Sequence, residues 1–302
     1  MPSFGRLIRM NEWLIFAIAA AFLNAVVNVL DKLTMEKLVK NPLLPTSLGI
    51  IAIIPIVGIV LLNGLQPLPI PQLILAIFTG GLYVVIVWLY FTAMKSEDAT
   101  RVVPLAELTP IAVLVLSIIF IGETFSLNDM IGVVLLSFGG VLISFHDFKK
   151  FVFRKGLYPV LGIIVVASIS FIITDYVLNF TDFWSYFAYQ KIGVVLAVLP
   201  FFITHFKELR RTISKTPLFL PVALTSEVLT MAAVLLIIAA QSTGSAALVT
   251  GAFATQPFFL LAMIVILGIH FPHILKEENT PWMWALKLVA ILSISIGVYL
   301  IA

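Results

Sequence analysis

Residues 93–110 read AMKSEDATRVVPLAELTP, and residues 240–257 read AQSTGSAALVTGAFATQP. A shift of 147 positions sets Ala93 on Ala240, Ser96 on Thr243, Ala99 on Ala246, Val102 on Val249 and Pro110 on Pro257. Toward the N-terminus an offset of 144 to 145 sets Asp31 on Asp175 and Pro55 on Pro200. Toward the C-terminus Gly140 meets Gly297 at 157, once an insertion around residues 270–280 is allowed. The chain therefore reads as two copies of one unit, residues 1–150 and 151–302.

What kind of unit this is follows from composition. The 302 residues are 61% apolar and 11% charged, with a mean hydropathy of +1.15. Soluble domains carry about 45–50% apolar and about 25% charged residues, so a soluble globular protein is excluded and the chain belongs in lipid. The net charge of +3 and pI near 9.1 fit loop lysines beside lipid headgroups and give a nucleic-acid role no support. With no cysteine, there is no disulfide framework, thiolate zinc site or cysteine nucleophile.

Polar clusters divide the sequence into ten apolar runs, at 13–31, 46–63, 71–92, 100–121, 128–145, 157–176, 183–204, 217–239, 244–268 and 281–301. About 20 residues cross about 30 Å of hydrocarbon as a helix, and in lipid the backbone must satisfy its own hydrogen bonds. The expected fold is an all-α integral membrane protein of ten transmembrane helices, arranged as two inverted five-helix repeats. Because five is odd, the second copy enters the membrane from the opposite side, which gives a pseudo-two-fold axis in the membrane plane. Secondary transporters share that plan and hold substrate near the midplane, at the repeat interface. Arg6 and Arg9 precede the first run as in a secretory signal, but the run is longer than a signal core, carries Asn24 and Asn28, and reads as a retained helix. Its Ala17, Ala21 and Ala25 make a small-residue face for close packing.

The stretch from Tyr90 to Ser144 resembles the EamA family of the drug/metabolite transporter superfamily. It has an Ala-rich turn from Ala93 to Ala99, Pro110 in the next helix, Gly122-Glu123 at that helix's end and Gly139-Gly140 near the end of the fifth. The second half repeats the pattern more loosely through Ala240, Pro257, Glu277 or Glu278, and Gly297. The resemblance covers the whole chain and implies a multi-pass transporter rather than an enzyme. The chain departs from it at Gly268 to Glu278, GIHFPHILKEE, where the family usually ends its ninth helix with Gly-Glu. His270 and His273 there read as a partly solvated loop; no metal and no cofactor is assigned.

Charge placement bears on orientation. Fourteen Lys/Arg fall in the loops after the odd-numbered runs: Lys32, Lys37, Lys40, Lys95, Arg101, Lys149, Lys150, Arg154, Lys155, Lys207, Arg210, Arg211, Lys215 and Lys276. The other face has only Arg6 and Arg9. Positive loops stay cytoplasmic, which predicts both termini outside, whereas family members of known architecture look N-in and C-in.

Ionisable residues at bilayer depth are expensive and usually face the bundle interior or a water-filled cavity. Glu227 falls at the centre of the eighth run, Lys191 near the centre of the seventh, and Glu107 about a turn from the middle of the fourth. One reading is a buried ion pair of Lys191 with Glu107 or Glu227 that fixes helix register. The other is a substrate site. Lack of solvation disfavours a charged carboxylate, so Glu227 or Glu107 would carry a proton in one state and release it when the cavity opens. Lys191 would draw the anionic part of a solute, and Gln190, Asn24, Asn28 and Gln256 would add neutral hydrogen-bonding groups.

Asp31 and Asp175 are expected as exposed loop acids at helix ends, Lys287 as a snorkelling side chain, and Glu123 as a cap on the fifth helix. Pro104, Pro110, Pro200 and Pro257 interrupt backbone hydrogen bonding inside spans. Tyr83, Trp88, Tyr90, Tyr186 and Tyr189 would line a site or join the interfacial belt with Trp184, Trp282 and Trp284.

The sequence thus predicts a secondary-active transporter in the cell membrane that moves a small solute, an amino acid or a drug-like compound, by alternating access, with proton coupling through the acids. Membrane lipids are its other partners, and a homodimer is allowed. An exchanger of phosphorylated or nucleotide-linked sugars, using Lys191 with Lys32 or Arg101, is the related alternative. A non-transporting scaffold or sensor is the alternative from a different class.

Overall fold

The computed structural model describes residues 12–96, 106–144, 158–270 and 281–302, and every element in it is helical. Helix α1 is Glu12–Leu33, prolonged by a π turn, Thr34–Leu38. It is followed by α2 (Leu43–Leu62, with a 3-10 stretch at Leu48–Ala52), α3 (Ile70–Ser96), and α4 (Thr109–Leu116, ending in a π turn Ser117–Ile121). Then come α5 (Leu127–Ser144), α6 (Tyr158–Leu178), α7 (Phe183–Lys215) and α8 (Phe219–Gln241). The chain ends with α9 (Ala246–Phe253), α10 (Gln256–His270) and α11 (Pro281–Ile301). Of the residues singled out above, Arg6, Arg9, Ala99, Arg101, Val102, Pro104, Lys149, Lys150, Arg154, Lys155, His273, Lys276, Glu277 and Glu278 lie outside the described residues. So do the side chains of Lys95, Ser96, His270, Trp282 and Trp284.

Seven helical stretches are long and apolar enough to cross a membrane: α1 with its π turn, α2, α3, α6, α7, α8 and the α9–α10 stretch. Three shorter apolar helices, Thr109–Ile121, Leu127–Ile143 and Ala285–Ile301, stand where the fourth, fifth and tenth runs are expected. The chain is a multi-pass membrane protein. Its outer surface presents large apolar side chains such as Leu61, Leu62, Ile70 and Tyr299, a surface that suits acyl chains.

Two spans differ from expectation. Helix α7 has 33 residues and does not stop near 204. At 1.5 Å per residue it is about 50 Å long, well beyond about 30 Å of hydrocarbon. Its basic end, with Lys207, Arg210, Arg211 and Lys215, therefore continues as helix where a loop was expected. Leu209 anchors that end in a small core with Val39, Leu44 and Phe219, and Asn41 Nδ2 donates to Glu208 at 3.1 Å. The ninth run is two helices, broken at Ala254–Thr255.

Local chemistry sets the helix starts. Asp182 caps α7 by accepting from the Trp184 and Ser185 N–H groups at 2.9 and 3.0 Å and from Ser185 Oγ at 2.7 Å. Burial pushes the Asp182 pKa up, but these hydrogen bonds together outweigh it and hold the carboxyl below its usual range. A group with a depressed folded pKa contributes stability above its unfolded pKa and loses it as pH falls through the folded one. Asp182→Ala should thus lower thermal stability by about 0.5–2 kcal/mol at neutral pH. The difference from the parent should shrink below about pH 4, and a pH series of melting curves would read it. The cap on α5 corrects an expectation: Ser126 and Asp129 bond each other's N–H groups, at 2.9 and 3.1 Å. They do the work assigned to Glu123, which lies too far back in the chain to reach the first turn.

Small residues decide the packing. Ala17, Ala21 and Ala25 are fully buried where α1 runs along α8. Helices α5 and α11 meet through Gly132 and Gly297, where a Cβ on Gly297 would lie 2.9 Å from the Gly132 carbonyl oxygen. Helix α3 packs on α6 and on α7. Lys287 is also corrected: at 4% exposed it is a buried side chain.

Candidate functional site

A cavity of about 340 Å³ runs between α1, α3, α6, α7 and α8, at the small end of the usual 300–1,000 Å³ for small-molecule sites. Two breaks in the chain border it. One is the turn at Glu107–Leu108 just before α4, the other the turn at Ala254–Thr255 between α9 and α10. They lie 147 residues apart, the offset that sets Pro110 on Pro257. Pro110 and Pro257 are each the second residue of the helix that follows, where the missing N–H has no intrahelical partner to lose. Gly140 packs against both breaks, since a Cβ there would lie 3.1 Å from Glu107 Cγ and 3.2 Å from the Ala254 carbonyl oxygen.

Six of the seven residues picked from sequence, Asn24, Asn28, Glu107, Gln190, Glu227 and Gln256, border this one cavity. Asn24 Nδ2 donates to Gln256 Oε1 at 2.9 Å, tying α1 to the start of α10. The Tyr90 hydroxyl donates to Asn28 Oδ1 at 3.2 Å, tying α3 to α1. Glu107 is buried, and among the described residues no cation pairs with it. Gln190, 5% exposed, points a buried Oε1 that has no hydrogen-bond partner among the described residues.

Lys191 departs from the expected arrangement. It is 2% exposed, and its Nζ lies 4.9 Å from the centre of the Tyr83 ring and 4.9 Å from that of Phe187. The two aromatic faces hold the ammonium by cation–π attraction, and it interacts with Glu227 electrostatically without lining the cavity. The cause is position on α7: Gln190 faces the cavity, and the next residue, about 100° round the helix, turns into the α3–α7 contact.

Asp31 is the main correction. It lines the cavity and accepts from Ser226 Oγ at 2.6 Å. The π turn carries the first helix on to Leu38, so position 31 lies a turn and more inside the helical column instead of at its end. Asp175, its repeat mate, is half-buried and accepts from the Ala246 N–H at the start of α9. Neither is a free loop acid. Tyr83 and Tyr90 line the cavity; Trp88 and Trp184 are exposed on the outside; Tyr189 donates to the Gln66 carbonyl oxygen at 3.0 Å. Tyr186 is fully buried, its hydroxyl 2.8 Å from Thr79 Oγ1 and 2.6 Å from Thr174 Oγ1, behind the cavity wall that Thr174 forms. Thr79 and Thr174 also donate to the Ala76 and Ser170 carbonyls at 2.7 and 2.8 Å, so Tyr186→Phe should lower stability by only about 0.5–1.5 kcal/mol, as melting in detergent would show.

Residues 11–145 match the EamA-like transporter family. The match lies within the first half of the chain, which is thus similar to that family. Two curated relatives match short stretches of the chain. The "Uncharacterized transporter in cobO 3'region" of a Sinorhizobium species is 38% identical over 58 residues, 19% of this chain and 41% of that protein. An uncharacterized protein of Methanocaldococcus jannaschii is 38% identical over 72 residues, 24% of this chain and 53% of its own length. The chain thus spans about half the length of these relatives. A protein of known crystal structure superposes on the EamA-like chain with a TM-score of 0.64, covering 95% of this chain and 96% of that one. At 14% identity this is a likeness of fold alone.

Proposed function

We propose that this EamA-like protein is a secondary transporter of a small organic solute, built from two inverted five-helix repeats, residues 1–150 and 151–302. In this reading they alternate access to the cavity that Asn24, Asn28, Asp31, Glu107, Gln190, Glu227 and Gln256 border. The observation that carries the reading is the pair of chain breaks 147 residues apart that meet at Gly140 beside one cavity, which carries several polar and acidic side chains on mostly apolar walls. Interrupted segments at matching places in two halves are what transporters use to expose backbone and side chains to a substrate.

Packing supports the inverted relation. Under the repeat, α1 on α8 corresponds to α6 on α3, and both pairs pack closely. Helices α5 and α11, which the repeat exchanges, pack on each other, as do α4 and α9. One pair of equivalent contacts differs, and it favours alternation. Gly80 of α3 lies against Gly193 of α7 with backbones touching. Their repeat mates are Glu227 of α8 and Gly49 of α2, where a Cβ on Gly49 would be 3.9 Å from Glu227 Oε1. The seam is shut on the α3–α7 side, whereas on the α2–α8 side a Cβ on Gly49 would meet Val198 and Val194 of α7 first, at 3.3 and 3.6 Å, with the Glu227 carboxylate farther off beside the cavity. Exchanging those two states is alternating access, and a proton on Glu227 or Glu107 is the natural coupling ion.

The phosphate-exchange reading is weakened at two of its cations, since rings cover Lys191 and Lys32 pairs with Glu36 at 3.8 Å on the helix surface, while Arg101 lies outside the described residues. For orientation we keep the charge bias, with both termini outside and the Lys32 to Lys40 end cytoplasmic; an enzyme reporter that works only in the cytoplasm, fused to the C-terminus, should be inactive. The function is tested by reconstituting the purified protein in liposomes and measuring solute flux against an imposed pH gradient, with solutes chosen by thermal-shift screening. Flux that exceeds protein-free liposomes and dissipates the gradient is expected. If no solute of a broad panel moves, the scaffold reading replaces this one.

A further inference from the structure

The geometry points to an organic amine lacking a carboxylate as the solute class of this cavity, its cation received by Asp31 and Glu227; the inference deepens the transporter reading and rests on it. Three carboxylates, Asp31, Glu107 and Glu227, line the cavity, while among the described residues no Lys, Arg or His does. The nearest cation among the described residues, Lys191, sits between the Tyr83 and Phe187 rings, shows 2% of its surface and does not line the cavity. An amino acid or an organic acid would bring its carboxylate into a space lined by three acids and, among the described residues, by no cationic group. Burying an unpaired charge is strongly unfavourable.

Asp31 and Glu227 act on each other electrostatically across α1 and α8, and both act on the Tyr83 hydroxyl. They form one acidic end of the cavity, which Ser226 helps to position by bonding Asp31. An ammonium placed there makes charge-assisted hydrogen bonds to both. Gln190 Oε1, buried and without a partner among the described residues, is an acceptor that asks for an N–H or O–H. The remaining walls, Val84, Val87, Phe91, Phe171 and Ile237, take an apolar body. Acceptors at one end, an acceptor on the wall and apolar surface elsewhere together describe an amine on a hydrocarbon or aryl stem.

Three probes share one aryl body and separate the charges: 2-phenylethylamine, phenylalanine and 3-phenylpropionate. Binding to the detergent-purified protein is read by calorimetry, and flux of each labelled probe is read separately in proteoliposomes. The amine should bind at least about tenfold more tightly than the other two, and Asp31→Asn and Glu227→Gln should each weaken it by about tenfold, the effect of one charge-assisted hydrogen bond. Lys191→Met, which removes the internal cation that offsets Glu227, should tighten amine binding by about threefold or more, a gain that a misfolded protein cannot give. Equal or tighter binding of phenylalanine or phenylpropionate, no binding of the amine, or amine binding indifferent to both acid variants would overturn the inference. Amine that binds as described but does not cross the membrane would uphold the solute class and sink the transport reading. Flux of phenylalanine or phenylpropionate without any amine binding would do the reverse.

Discussion

Gly193→Ala and Gly80→Ala should each leave little properly folded protein. A Cβ on Gly193 would run into the Ile77 carbonyl of α3, with the Ile77 carbonyl carbon at 2.8 Å and Gly80 Cα at 3.1 Å. A Cβ on Gly80 would strike the Gln190 carbonyl oxygen, with the Val194 nitrogen at 2.6 Å and the Gly193 carbonyl carbon at 2.8 Å. These neighbours are backbone, so no side chain can turn away; the two helices must separate along their length. Overpacking a core costs about 1–3 kcal/mol when side chains can adjust, and more is expected here. The expected result is a fall in Tm of about 10 °C or more, with loss of the monodisperse peak in detergent chromatography. Gly81→Ala, whose Cβ meets nothing within 4 Å, is the control one residue away and should behave as the parent. A Gly193→Ala protein that melts with the parent would mean that α3 and α7 do not touch in this way.

Glu227→Gln should cut pH-driven solute flux about a hundredfold, or ~2.7 kcal/mol of barrier, while the protein still folds. Glutamine keeps the size and shape of the side chain that lines the cavity, so the packing around it persists. What is lost is the exchangeable proton and the charge that faces Asp31 and Lys191. Flux in proteoliposomes measures the first, and the melting curve of the same preparation measures the second. If flux persists at the parent rate with an intact fold, Glu227 does not couple transport, and Glu107, the other buried acid lining the cavity, becomes the residue to replace.

Helix positions and membrane character were legible in the sequence because lipid imposes one rule on every residue: an apolar run long enough to cross must be helical and satisfy its own backbone. The place of the cavity was legible too, since Pro110 and Pro257 recur 147 residues apart and mark breaks that the helices then make around Glu107 and Ala254. Local composition alone also located Glu227, Glu107, Asn24, Asn28, Gln190 and Gln256, which border one cavity. Hydropathy could not say how far a helix runs past the bilayer, so the basic end of α7 and the π turn that buries Asp31 were missed.

What the sequence by itself determined is the helical, lipid-embedded chain, because apolar runs long enough to cross a membrane are properties of one strand read in order. Only tertiary structure decided which way Lys191 turns, that Asp31 rather than a lysine meets the cavity, and that Gly80 and Gly193 bring the backbones of α3 and α7 into contact. Those outcomes depend on which residues of distant helices come within reach of each other, which the order of residues along one strand does not specify.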